Sequence, residues 1–188
     1  MDLIWVLSEV ATRKNILNQT MLQLDEKRRG QVHLVLKQAV LADKHYHDLA
    51  EVIESIDGLA VSERIKNHMR QIYQILAQAE AQVHGCAVDK THFHEVGNAE
   101  AIRNVLAVCA AVEAFAPAKI IATPVQTGEG TVVCAHGELP IPAPATAAIL
   151  ETGIPTCEFM LPGERCTPTS AALIAYFVNE YKENPLGL

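Results

Sequence analysis

The chain has 188 residues, 49% of them apolar, and a formal charge of −7. That length suits one domain, or one domain with a short extension, and the apolar content supplies a core and argues against disorder. The acidic balance argues against nucleic acid as a partner, although a nucleotide can still bind in one local pocket with a metal.

The start carries an acid, Asp2, where an export signal needs basic residues. The longest apolar run in the middle, Val105 to Val112, falls far short of the ~20 residues that span a bilayer. A soluble, cytoplasmic protein with no membrane partner is expected. Cys86, Cys109, Cys134, Cys157 and Cys166 are odd in number and form no Cys-x-x-Cys pair. Reduced thiols, mostly serving as small apolar residues, are the expectation.

The stretch to about Arg29 reads as mixed and mainly helical. From Val32 to Gln38 the apolar residues alternate imperfectly and the reading is a strand. Asp48 then caps a helix with Leu49, Val52, Ile53 and Ile56 on one face, stopping near Asp57-Gly58. Ser62 caps a longer one, in which Ile65, Met69, Ile72, Leu76, Ala79 and Val83 recur every three or four residues as a core face; Gly85 ends it. Asn98 caps a third, with Ile102, Val105, Leu106, Cys109 and Val112 inward and Pro117 as its stop. Ile120–Ala122 and Thr131–Cys134 read as strands, with Gly128-Glu129-Gly130 as the turn between them. Pro140, Pro142 and Pro144 force an extended entry to a short helix, roughly Ala145 to Glu151, closed by Gly153. Thr167 caps the last helix, with Pro168 at its first position and Leu173, Ile174, Phe177, Val178 and Tyr181 buried. The sum is an α+β fold, a helical N-terminal half followed by a small sheet packed with helices.

His92 and His94 are two apart, so on extended backbone both rings point one way and can grip one metal ion. Glu95 adds a carboxylate, and Gly97 lets the loop turn. Two exposed loop histidines are the plain alternative. His45 and His47 repeat the spacing: if Asp48 is the cap they share a face, and if the helix starts at Asp43 they do not. His33, His68 and His84 read as structural, His84 suiting a helix C-terminus. Thr127 to Gly130 lacks the lysine of a phosphate loop and reads as a turn. Cys134 and His136 make either a metal pair or a Cys/His nucleophile arrangement. Thr167-Pro168-Thr169-Ser170 is a hydroxyl cluster at a helix start, where ordinary capping outweighs anion binding.

Several strings together carry a resemblance. Ala79-Glu80-Ala81-Gln82-Val83-His84-Gly85, His92-Phe93-His94-Glu95-Val96-Gly97, Ala135-His136-Gly137-Glu138-Leu139-Pro140-Ile141-Pro142-Ala143-Pro144-Ala145-Thr146 and Cys166-Thr167-Pro168-Thr169 with Ala171-Ala172 occur in order. From about His45 onward the chain resembles the LarC-type nickel-insertion family. That resemblance divides the chain into a mixed segment, 1–42, and a nickel-insertion family domain, 43–188.

It implies nickel insertion into a pyridinium-3,5-bisthiocarboxylic acid mononucleotide, a lyase-class cyclometallation that makes the nickel-pincer cofactor and, in the full-length proteins, consumes CTP with Mg or Mn. It makes His92, His94 and Glu95 nickel-site candidates, with His45, His47 and His136 behind them and Glu95 as the catalytic proton acceptor. The precursor mononucleotide would be the small-molecule partner; a homo-oligomer is left open. The chain departs from the family pattern. It lacks the initial aspartate- and glycine-rich string, has Glu100 and Asn104 where aspartates are usual, and has Arg165 and Ser170 in place of a leucine and a glycine. The half associated with CTP is not in the sequence, so a short form with that half as a separate subunit is expected. A non-catalytic nickel- or precursor-binding module, or a scaffold paralogue, is the alternative.

Overall fold

The computed structural model describes residues 1–187. Strands β1 (Leu3–Trp5), β2 (Ile120–Ala122) and β7 (Glu180–Tyr181) form a parallel sheet in the order β1-β2-β7, with Leu3 opposite Ile120 and Ala122 opposite Tyr181. Parallel neighbours need long crossovers, usually helical. Five α-helices fill the first crossover and two the second. Leu3, Trp5, Ile120 and Ala122 are buried, as strands of a covered parallel sheet must be. The N-terminus thus supplies an edge strand of a sheet that the sequence reading placed only after the helices. Three residues are too few for an alternating pattern to register.

After α1 (Arg13–Leu22), the segment read as a strand is helical: α2 (Glu26–Gln38) contains Val32, Leu34 and Leu36. Asp25 Oδ1 accepts from Arg28 N–H at 2.8 Å and starts it. Val32 is buried whereas Leu34 is exposed, so the alternating residues do not share one buried face. A capped run of Glu, Lys, Arg and Gln outweighs four apolar residues, Val32, Leu34, Val35 and Leu36.

Helices α3 (Leu49–Asp57), α4 (Glu63–His84) and α5 (Ala99–Phe115) begin at the expected caps. Asp48 Oδ1 accepts from Glu51 N–H at 2.9 Å, Ser62 Oγ from Ile65 N–H at 3.2 Å, and Asn98 Oδ1 from Ala101 N–H at 2.7 Å. Gly85 closes α4 in the left-handed region, φ +63°. On α4, Ile65, Met69, Ile72, Leu76 and Ala79 are buried, but Val83 is 39% exposed. The last turn of α4 has left the core and walls a cavity.

The glycine-rich segment is not the turn between β2 and its neighbour. Strand β3 (Gly128–Glu129) pairs antiparallel with β6 (Gly163–Glu164), and β4 (Thr131–Cys134) forms a hairpin with β5 (Gly137–Pro140). Gly128 is required by contact: a Cβ there would lie 1.7 Å from the Gly163 carbonyl oxygen, and its φ is +79°. Helix α6 (Pro144–Leu150) follows the proline run, and α7 (Pro168–Phe177) starts at Thr167. Val178 and Tyr181 lie beyond α7: Val178 is extended, and Tyr181 belongs to β7. Asn179 Oδ1 accepts from Ile120 N–H at 2.7 Å, which commits the chain to the sheet at that point.

Thr146 on α6 is fully buried, and its hydroxyl has no hydrogen-bond partner among the described residues. An orphaned buried hydroxyl costs about 1–3 kcal/mol. Thr146→Val is expected to raise stability by about 1 kcal/mol, read as a higher urea midpoint. A lower midpoint would mean that the Thr146 hydroxyl has a hydrogen-bond partner in the folded protein.

Candidate functional site

The motif loop is held from behind by the segment before α3. Tyr46 N–H donates to Gly97 O and Phe93 N–H to His47 O, both at 2.7 Å, and His45 bridges Asn98 antiparallel. Phe93 is buried against Tyr73, ring centroids 6.0 Å apart, and Tyr73 Oη donates to Val96 O at 2.9 Å. Gly97 leaves no room for a side chain, since a Cβ would stand 2.0 Å from the Tyr46 carbonyl oxygen. The loop turns without a left-handed residue there, so Gly97 serves close approach, where the sequence suggested a turn. With Phe93 and Val96 pinned inward, His94 and Glu95 between them face a cavity of about 450 Å³.

That cavity collects side chains distant in sequence. The last turn of α4 contributes Glu80, Val83 and His84, and the β4–β5 hairpin contributes Cys134 and His136. Ala135 N–H donates to Glu95 Oε1 at 3.1 Å, which draws the hairpin onto the motif loop. The His94 and His136 ring centroids are 4.7 Å apart, His84 and His136 5.3 Å, and His84 and His94 6.4 Å. Three imidazoles from three elements therefore face one space. Among the described residues, no three His, Cys, Asp or Glu side chains already converge on a single metal position.

His84 Nε2 lies 3.4 Å from Glu80 Oε2, one helical turn back. Burial pushes the Glu80 carboxyl above its ordinary range; His84, His136 and His94 pull it down, and Glu95 adds to the rise. The Glu164 carboxyl is also raised, first by burial and then by the charge of Glu95. The cavity is thus a mixed imidazole and carboxylate site with apolar walls at Val83, Val132 and Leu139.

Of the residues singled out in the sequence, His94, Glu95 and His136 meet here. His92 does not line the cavity, and the chain bends just after it, at His94-Glu95. Asp48 is the helix cap, and the His45 and His47 rings lie 4.9 Å apart. They too stand outside the cavity, and His45 Nε2 sits 2.6 Å from Phe93 O, supporting the motif loop from behind. Glu80 and His84 were missed as site residues. Their signal was the Glu-x-x-x-His spacing inside the Ala79–Gly85 string, one turn apart on one helix face.

A family model described as "Nickel insertion protein" matches residues 2–187. The chain belongs to the nickel insertion protein family. It is 34% identical over 178 residues to the pyridinium-3,5-bisthiocarboxylic acid mononucleotide nickel insertion protein of Staphylococcus epidermidis, covering 94% of this chain and 45% of that one. It is 39% identical over 144 residues to the protein of the same name from Geobacillus kaustophilus, covering 77% and 34%. A putative nickel insertion protein from Geotalea uraniireducens is 38% identical over 142 residues, covering 76% and 35%. The chain spans less than half the length of these relatives. No solved structure matches it. Among the described residues, no helix is long and apolar enough to cross a membrane.

The departures from the nickel-insertion pattern have local accounts. Ser170 Oγ accepts from Thr167 N–H at 2.8 Å while Thr167 Oγ1 accepts from Ser170 N–H at 3.3 Å. This reciprocal cap uses the hydroxyls of Thr167 and Ser170. Arg165 donates from Nε to Pro162 O at 3.0 Å and from Nη1 to Glu9 O at 3.2 Å, tying the N-terminal loop down. Glu100 lines the cavity and Asn104 does not. Cys109 and Cys166 are buried, and burial pushes the Cys166 thiol up to about 12, as suits an inert apolar filler.

Proposed function

We propose that this chain performs the nickel- and precursor-handling steps of nickel insertion into pyridinium-3,5-bisthiocarboxylic acid mononucleotide, the substrate named for its relatives. The observation that carries the reading is the grouping of His84, His94 and His136 on one cavity wall. Imidazole suits Ni²⁺. Glu80 beside His84 is the kind of carboxylate partner that fixes a ligand ring. Nickel is a substrate here, held by imidazoles that rotate onto it and then release it.

The apolar side chains of Val83, Val132 and Leu139 offer a surface for the pyridinium ring. As nickel bonds to a ring carbon, that carbon loses its proton: Ni²⁺ and C–H become Ni–C and H⁺. Glu95 accepts this proton. One of its oxygens is engaged by Ala135 N–H, which leaves the other for the acceptor role. The nickel–sulfur bonds form to the thiocarboxylates. In this proposal CTP with Mg²⁺ or Mn²⁺ acts outside the cavity, at a second half carried on a separate subunit or joined to this one. A cytoplasmic setting keeps the cavity thiol Cys134 reduced.

The test is a calorimetric Ni²⁺ titration of the protein with and without the precursor mononucleotide. Stoichiometric uptake that tightens with precursor is expected. Absence of uptake under both conditions would overturn the reading. Mass analysis after addition of Mg-CTP or Mn-CTP then separates turnover from carriage.

A further inference from the structure

The same cavity has a feature that metal handling leaves unused. Thr169, second residue of the ten-residue helix α7, lines it while being only 4% exposed. Among the described residues, the hydrogen bonds of the cap do not use the Thr169 hydroxyl. Its neighbours behave differently, for Thr167 and Ser170 satisfy each other in the cap. Unlike the Thr146 hydroxyl, the Thr169 hydroxyl is not sealed off, so a ligand in the cavity can meet it. It sits in the first turn of a helix in which Pro168 has no N–H and the Ser170 N–H is taken by Thr167 Oγ1, so the Thr169 N–H and the helix dipole are what favour an anion there.

Arg13, at the first position of α1, lines the same cavity. Its only ion pair among the described residues is a loose one to the exposed Glu100, Nη2 to Oε1 at 3.8 Å. A guanidinium so weakly held is free to take a better acceptor, and its fork matches two oxygens of a phosphate. The cavity volume, about 450 Å³, lies within the range that holds small-molecule ligands.

We propose that Thr169, the N-terminus of α7 and Arg13 form the subsite for a phosphate monoester, the 5′-phosphate of a pyridinium mononucleotide. The identity of the ligand rests on the nickel-insertion reading; the subsite itself does not. Phosphate held at this subsite turns the pyridinium ring of the same molecule toward the imidazoles. The first turn of α7 then selects for the mononucleotide over the nucleoside, while the histidines take the metal.

The experiment uses nickel-free protein and two probes, nicotinate mononucleotide and nicotinate riboside, which differ only by the phosphate. The mononucleotide is expected to bind at least about tenfold more tightly. Thr169→Val and Arg13→Gln should each shrink that gap severalfold with riboside affinity unchanged, and Thr169→Ser should restore it. Equal binding of the two probes, no binding of either, or a gap that survives Thr169→Val would overturn the subsite. Because no nickel is present, failure here leaves Ni²⁺ uptake standing, and failure of Ni²⁺ uptake leaves this result standing.

Discussion

Replacing His84 and His136 together by alanine is expected to weaken Ni²⁺ binding about 100-fold or more. Loss of supporting groups alone costs roughly 10–100-fold in metal affinity at protein sites, and here two of the three imidazoles that face the cavity are removed. Both side chains are exposed to the cavity, so stability should change by no more than about 0.5 kcal/mol. His92→Ala is the informative control. The sequence pairs His92 with His94, whereas the structure leaves His92 outside the cavity. Unchanged affinity in His92→Ala beside a large loss in His84→Ala/His136→Ala is the expected pattern, read by calorimetry. The opposite pattern would restore the His-x-His reading.

Gly97→Ala is expected to be the most damaging single substitution in the motif. The new methyl would lie 2.0 Å from the Tyr46 carbonyl oxygen and 2.9 Å from Phe93 Cβ. Neither neighbour moves freely: Tyr46 N–H is bonded to Gly97 O, and Phe93 is buried. The loop must part from the His45–His47 segment, losing that pairing and the packing of Phe93. Overpacking and lost hydrogen bonds together should cost about 3 kcal/mol, seen as a lowered urea midpoint. Nickel affinity should fall as well, because His94 and Glu95 are placed by this clamp. A midpoint within error of the parent would mean that the two segments are not paired as described.

Local chemistry explains which parts of the fold were legible. Asp48, Ser62, Asn98 and Thr167 each cap a helix through a bond three residues away, and that signal is contained in the sequence itself. Strands of two or three residues, such as β1 and β7, hold no periodic signal, and partners distant in the sequence decide them. The pairing of β3 with β6 depends on a close approach of Gly128 to Gly163, which no local pattern announces.

The site divides in the same way. His94, Glu95 and His136 stood out because they lie in distinctive strings. His84 was masked by its helix end, where a histidine already has a dipole role. Only the docking of the β4–β5 hairpin, through Ala135 and Glu95, shows that it faces His136. Thr169 was hidden inside a cap whose other hydroxyls, on Thr167 and Ser170, do what capping predicts.

The most direct measurement is nickel K-edge X-ray absorption on the Ni²⁺-loaded protein without precursor. The expected spectrum shows a nitrogen and oxygen shell with imidazole scattering, which is lost in His84→Ala/His136→Ala and kept in His92→Ala. A shell dominated by sulfur, or an imidazole signature untouched by the double substitution, would contradict the assignment of nickel to His84, His94 and His136.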